Sequence, residues 1–264
     1  MNKTFLCSLS LIITILISST ALSQPRSQRG RQRECPGITV ANRSMLRVAV
    51  FGDSLARTVG EELSAMGHRS GRFLVCYDSQ GSTGLSQPEL VNWPERAARE
   101  ITQWRSDVVV YVFGTNDAIG MTHSVNINGH HNVYQFATPA WRNEYGQRVT
   151  RMLDIASDEL TRHVIWVGVP IMRNPAFSAR VSLINEVARG DIADRPDVLF
   201  INAWRRFQDA AGSFSYFLPD GHGRPQRVRE TDGIHYTQAG GSLLAVDIEA
   251  AIRQYYFSLS LPRE

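Results

Sequence analysis

The chain has 264 residues, 43% hydrophobic and 20% charged, with a formal net charge of +3. That balance excludes a disordered, collagen-like or disulfide-dense chain and supports a sizeable core, in one large domain rather than two small ones. The slight excess of Lys and Arg does not gather into basic tracts through the body of the chain, which argues against nucleic acid as a partner.

Met1 to Lys3 carries one positive charge, Phe5 to Ile17 is an almost unbroken apolar run, and Ala21-Leu22-Ser23 offers small residues where a signal peptidase cuts. Residues 1–23 are therefore expected to be a secretory signal. Its apolar run is shorter than the roughly 20 residues of a bilayer-spanning helix, so no stable membrane insertion is expected after cleavage. Loss of the signal removes Cys7 and leaves Cys35 and Cys76. In a periplasmic or secreted setting these two are expected to pair, the alternative being one buried and one exposed thiol. Residues 24–44, with Arg26, Arg29, Arg31 and Arg33 among Gln, Ser and Gly, read as a flexible Arg-rich linker.

The main domain is expected over residues 45–257, with a short tail over 258–264. Arg47 to Phe51 reads as a buried strand, and Ala56, Val59, Leu63 and Met66 follow at helical spacing. Phe73 to Tyr77 is a second strand, followed by a helix starting near Pro94 with Ala97, Ala98, Ile101 and Trp104 on one face. Val108 to Phe113 is a third strand. Beyond a long loop, Tyr145, Val149, Met152, Ala156 and Leu160 mark an amphipathic helix, and Val164 to Val169 a fourth strand. Phe177, Val181, Ile184 and Val187 give another helix and Val198 to Ile201 a fifth strand. Leu244, Ile248, Ile252 and Tyr255 line a last helix that Thr237 can cap. Repeated strand–helix units predict an α/β fold: a three-layer α/β/α sandwich around a five-stranded parallel sheet, of flavodoxin-like type.

In such sheets the working residues collect at the carboxyl ends of the strands. Those ends read Gly52-Asp53-Ser54-Leu55, then Ser79-Gln80-Gly81-Ser82-Thr83-Gly84, then Gly114-Thr115-Asn116-Asp117. Before the last helix stands Thr231-Asp232-Gly233-Ile234-His235-Tyr236-Thr237. In isolation each reads as a capped strand exit, a turn or a surface loop. In this order, over Leu46 to Tyr256, they resemble the four signature blocks of the SGNH hydrolase superfamily, the GDSL esterases and lipases. The resemblance implies that Ser54, a block-two glycine, Asn116 and His235 act in one site. Gly84 is preferred for the second block, with Gly81 as the alternative.

The chemistry follows from the residue types. A serine hydroxyl needs a base within hydrogen-bond reach and a third group to orient that base. His235 is the base and Asp232, three residues before it, the orienting carboxylate. The backbone N–H groups of Ser54 and Gly84 and the amide of Asn116 are expected to receive the oxyanion of a tetrahedral intermediate. Asp53 and Asp117 are expected to bond loop amides. The Gly-x-Ser-x-Gly elbow of α/β-hydrolases is absent from the sequence.

Residues 118–139 are the least regular stretch and are expected to wall the cleft, with His131, Tyr134 or Trp141 facing substrate. Adjacent His130 and His131 point apart in an extended chain and no carboxylate cluster joins them, so no metal is expected there. The arginine-rich loop from Asp220 to Glu230 is a second border, suited to an anionic or polyhydroxyl substrate. No dinucleotide or phosphate-loop motif appears, and no cofactor is expected.

The sequence thus predicts an exported serine esterase acting on O-acyl, foremost O-acetyl, esters of a carbohydrate or on another small ester. An O-acyltransferase modifying a periplasmic or extracellular glycan, and an inactive glycan-binding protein on the same fold, are the alternatives.

Overall fold

The computed structural model describes residues 30–125, 131–157 and 163–260, with side chains throughout except at 122–131 and 255–260. The expected signal, Arg26, Arg29 and Leu160 lie outside the described residues.

The chain opens with strand β1 (Arg31–Glu34), then β2 (Leu46–Gly52), helix α1 (Ser54–Ser70), β3 (Phe73–Gln80), α2 (Trp93–Trp104) and β4 (Val108–Val112). A hairpin of β5 (Met121–Val125) and β6 (His131–Tyr134) leads into α3 (Pro139–Ser157), β7 (His163–Val167), α4 (Pro175–Ile192) and β8 (Val198–Ile201). The last part holds α5 (Ala203–Arg206), a small hairpin of β9 (Phe217–Pro219) and β10 (Pro225–Arg227), and α6 (Gln238–Ser260).

The main sheet has the order β1-β3-β2-β4-β7-β8. Its last five strands are parallel, and β1 is antiparallel to β3. Alternation along each strand sends successive side chains to opposite faces. Val48, Val50, Val108 and Val110 join Leu63 of α1 and Ile248 of α6 in one core. Ala49, Phe51, Val109 and Tyr111 join Ile101 of α2, Met152 of α3 and Ile184 of α4 in the other. Both faces are covered, as a parallel sheet requires, and the layers are helix, sheet and helix.

Two expectations are corrected. The segment expected as a flexible linker contains β1, paired with β3 from Arg31 opposite Gln80 to Glu34 opposite Tyr77. Its arginines are ordered by acids. Arg31 and Arg96 both bond the buried Asp78 carboxylate, and Arg33 donates to Glu100 at 2.7 Å. Burial alone would raise Asp78, but hydrogen bonds from Arg31 and Arg96 hold it below the usual carboxylate range. Cys35 and Cys76 are joined by a disulfide that fastens the end of β1 to β3. The stretch 118–139 is not wholly irregular either, because β5 and β6 pair within it around a bulge between Thr122 and Ser124.

Candidate active site

The strand order turns at β2: the chain passes from β2 to β3 on one side and returns to β4 on the other. That switch point opens a crevice at the strands' carboxyl ends, where Ser54 follows β2 and Asn116 follows β4. Asp53 caps α1, accepting from the Leu55 N–H at 2.9 Å, so Ser54 becomes the first residue of the helix. The second Asp53 oxygen accepts from the Thr115 N–H at 3.1 Å and ties the β2 exit to the β4 exit. Burial pushes the Asp53 carboxyl up to about 7, against the pull of the Leu55 hydrogen bond.

His235 lies in the loop before α6, with its Nε2 2.8 Å from Ser54 Oγ and its Nδ1 2.6 Å from Asp232 Oδ2. Asp232 Oδ1 accepts from the backbone N–H groups of Ile234 at 2.8 Å and His235 at 3.0 Å, closing a tight turn around the pair. Between the acid and the base stands Gly233 at φ +72°, against the stem of Arg173. A side chain there would meet both a strained backbone and Arg173. Burial would raise Asp232, but hydrogen bonds from the His235 ring and from both backbone N–H groups hold it well below the usual range. Asp232 therefore stays ionised beside the imidazole.

Arg229 belongs to the loop from Asp220 to Glu230 expected to border the cleft, but it is turned inward beneath this turn. It is fully buried, with its guanidinium 5.3 Å from the Tyr236 ring and 5.5 Å from Phe207 and from Phe214. Its Nη2 donates to the carbonyls of Gly233 at 3.2 Å and Ile234 at 2.8 Å. Burial lowers its pKa, partly offset by the nearby Tyr236 and Asp232.

The two candidate glycines differ in placement. Gly81 lines the cleft that also holds Ser54 and His235. Gly84 packs against the Asp117 carboxylate, where a Cβ would collide with it. Gly84 is thus held in the buried Asp117 network, while Gly81 borders the same cleft as Ser54 and His235. Asn116 Nδ2 donates to Thr83 O at 2.9 Å, leaving its second amide hydrogen for another acceptor. Asp117 accepts from Ser86 N–H at 2.7 Å and Tyr145 OH at 3.0 Å; burial raises its pKa against these bonds.

Of the residues expected to face substrate, Trp141 does not. Trp141 is fully buried, stacked on Tyr145 at 5.0 Å and donating to Ile119 O at 2.8 Å. It is a core residue, because the first turn of α3 faces the sheet. Tyr134 packs against the same core. The side chains of His123, His130 and His131 lie outside the described residues. The wall beside Ser54 comes from α1, β1 and the start of α6: Arg57, Glu61, Glu62, Gln32 and Gln238 border a cleft of about 560 Å3.

This architecture is the SGNH hydrolase fold. The lipase/acylhydrolase from Enterococcus faecalis is 18% identical, with a TM-score of 0.52 over 78% of this chain and 97% of its own. A carbohydrate esterase family 3 protein from Talaromyces cellulolyticus is 14% identical, with a TM-score of 0.51 over 82% of this chain and 100% of its own. The lipopolysaccharide acetyltransferase periplasmic domain from Salmonella ser. Paratyphi A is also 14% identical, with a TM-score of 0.50 over 79% of this chain and 84% of its own. Among curated proteins, none matches the chain in sequence. Residues 47–251 match the family described as "Protein of unknown function (DUF459)", and the chain belongs to that family.

Proposed function

We propose that this protein is an exported serine esterase that forms an acyl-enzyme on Ser54 and acts on O-acyl, foremost O-acetyl, groups of a carbohydrate. The observation that carries the reading is the continuous hydrogen-bonded line from Ser54 Oγ to His235 at 2.8 Å and on to Asp232 at 2.6 Å. A serine on such a line is activated, whereas a serine that only caps a helix needs neither partner.

In the proposed reaction His235 Nε2 takes the Ser54 proton as Oγ attacks the ester carbonyl. The carbonyl π pair moves onto oxygen, where the Ser54 and Gly81 N–H groups and the Asn116 amide stabilise it. Collapse of this intermediate breaks the bond to the alcohol oxygen, which takes the proton from the imidazolium. Water then attacks the acyl-Ser54 carbonyl while His235 again removes the proton, releasing the carboxylic acid and restoring Ser54. Asp232 keeps Nδ1 protonated throughout and stabilises the cation.

The substrate class rests on the cleft. Its walls beside Ser54 carry Arg57, Glu61, Glu62, Gln32 and Gln238 and, among the described residues, no aliphatic side chain. Such a wall suits hydroxyl groups of a glycan and a short acyl chain better than a lipid tail. The carbohydrate esterase and acetyltransferase neighbours fit this chemistry. Export rests on the apolar leader and on the Cys35–Cys76 bond, which suits an oxidising compartment.

The test is hydrolysis of p-nitrophenyl acetate by the mature protein, Ser54→Ala and His235→Ala, with mass spectrometry of the acylated intermediate. Activity lost in both variants and a covalent acetyl group on Ser54 are expected. A burst that an oligosaccharide acceptor accelerates, with acetylated sugar as product, identifies a transferase. No acylation with acetyl or longer donors overturns the enzyme reading in favour of a binding protein.

A further inference from the structure

The triad turn carries a second charged feature that the hydrolytic step does not use. Tyr216 donates its hydroxyl to Thr231 O at 3.2 Å, immediately before Asp232. Two guanidiniums converge on its ring: Arg173 at 5.9 Å and Arg227 at 5.7 Å from the centroid. Arg173 is built onto the turn itself, since its N–H donates to Gly233 O at 3.2 Å and its stem packs on Gly233. Arg227 ends β10 and donates from Nε to Arg229 O at 3.1 Å.

Among the described residues neither Arg173 nor Arg227 has an ion-pair partner, while most of the chain's other described arginines do, including Arg31, Arg33, Arg96, Arg148 and Arg224. Of the two carboxylates on this turn, Asp232 is committed to His235 and two backbone N–H groups, and Glu230, among the described residues, forms no ion pair with Arg173 or Arg227. Two exposed cations, each within 6 Å of one ring centroid, raise the positive potential at that surface and favour an anion there. Guanidiniums also match carboxylate and phosphate oxygens in a planar two-point geometry.

We propose that Arg173 and Arg227, gathered at Tyr216, form a subsite for an anionic oxygen group, a carboxylate or phosphate, carried by the alcohol part of the ester. The proposal rests on the esterase reading and narrows its substrate to esters of acidic sugars. Arg173 packs on Gly233 beside Asp232, and the subsite is assigned to the alcohol part of the ester. No covalent step is involved.

The experiment compares kcat/KM for O-acetyl esters of a neutral methyl glycoside, the corresponding methyl uronate and the corresponding sugar phosphate. Wild-type protein is expected to prefer an anionic ester by about tenfold, mainly through KM, with the preference shrinking as salt rises. Whichever anion gains identifies the source. In Arg173→Gln/Arg227→Gln the ratio of anionic to neutral kcat/KM falls to about one, and in Arg173→Lys/Arg227→Lys most of it returns. The ratio makes each protein its own reference. Equal kcat/KM for neutral and anionic esters in wild type, or a preference that survives the glutamine pair, overturns the proposal. If no protein hydrolyses any ester, the esterase reading has failed by itself. Calorimetric titration of a uronate disaccharide and a sugar phosphate into wild type and the glutamine pair then decides the subsite. Binding of either probe that the pair abolishes supports it, and absence of binding to wild type refutes it.

Discussion

Replacing Asp232 by Asn and by Ala separates what its two oxygens do. Oδ2 faces His235 Nδ1 at 2.6 Å, while Oδ1 takes the Ile234 and His235 N–H groups at 2.8 and 3.0 Å. Asn keeps the Oδ1 role with its carbonyl and turns an NH2 toward Nδ1. The imidazole must then accept at Nδ1 and carry its proton on Nε2, facing Ser54 with a donor where a base is required. The expected loss in kcat is about ten-thousandfold, or about 5.5 kcal/mol of transition-state stabilisation, with KM little changed and a melting temperature that falls less than in the Ala variant. Ala removes the turn's acceptor as well. Two backbone hydrogen bonds at about 1 kcal/mol each give about 2 kcal/mol of lost stability, a fall of roughly 4–8 °C in Tm.

The pH dependence has a definite sign. The folded-state pKa of Asp232 is depressed, so its contribution to stability is complete above the unfolded carboxylate value near 4 and is lost as pH falls below it. Asp232→Asn should flatten that acid limb. The assay is steady-state hydrolysis of p-nitrophenyl acetate beside calorimetric melting from pH 3 to 8. An Asn variant within tenfold of wild type, or Asn and Ala variants with the same Tm, would refute the division of labour between the two oxygens.

Asn116→Ala removes one proposed oxyanion donor and should lower kcat by about a hundredfold to a thousandfold, with KM nearly constant, in the same assay. Cys35→Ser/Cys76→Ser opens a closure of sequence separation 41. By the chain-entropy model this lowers stability by about 4 kcal/mol, read as a drop in urea midpoint that reductant reproduces in wild type. Burial pushes His163 down to about 4, against the pull of Asp197. Its neutral form stabilises the fold above the unfolded value near 6.5, and this is lost as pH falls toward 4. His163→Gln should therefore lose less stability than wild type between pH 6.5 and 4, measured by urea titration.

The parallel sheet is legible because each strand is an uninterrupted apolar run, from Val48 to Phe51 and from Val108 to Val112, that only a doubly covered sheet can bury. β1 is not, since Arg-Gln-Arg-Glu has no apolar face; its order comes from Asp78, Glu100 and a covalent bond, all distant in sequence. Ser54, Asp232 and His235 could be placed together from the order of their motifs, because each stands where a strand or turn must hand over to a helix. The choice between Gly81 and Gly84 could not, as it depends on which backbone the Asp117 carboxylate draws inward. Trp141 misled for a similar reason: an aromatic residue in the first turn of a helix looks the same whether that turn meets solvent or sheet. In sequence Arg229 reads as one more arginine of the bordering loop, since the aromatic box that buries it is assembled from Phe207, Phe214 and Tyr236 in three different turns of chain.

An open sheet leaves two rows of unpaired backbone groups along its flanks, and each invites a foreign strand. On the β8 side the row is only four residues long. On the other side β3 has eight residues, and β1 occupies the length from Tyr77 to Gln80. The arginines of β1 bind that flank down, folding half-exposed onto Asp78 and Glu100. A chain shortened to begin at Leu46 would keep every residue of the proposed triad yet bare the β3 margin and the lone thiol of Cys76. Its failure would show as self-association through β3 before any loss of catalytic geometry.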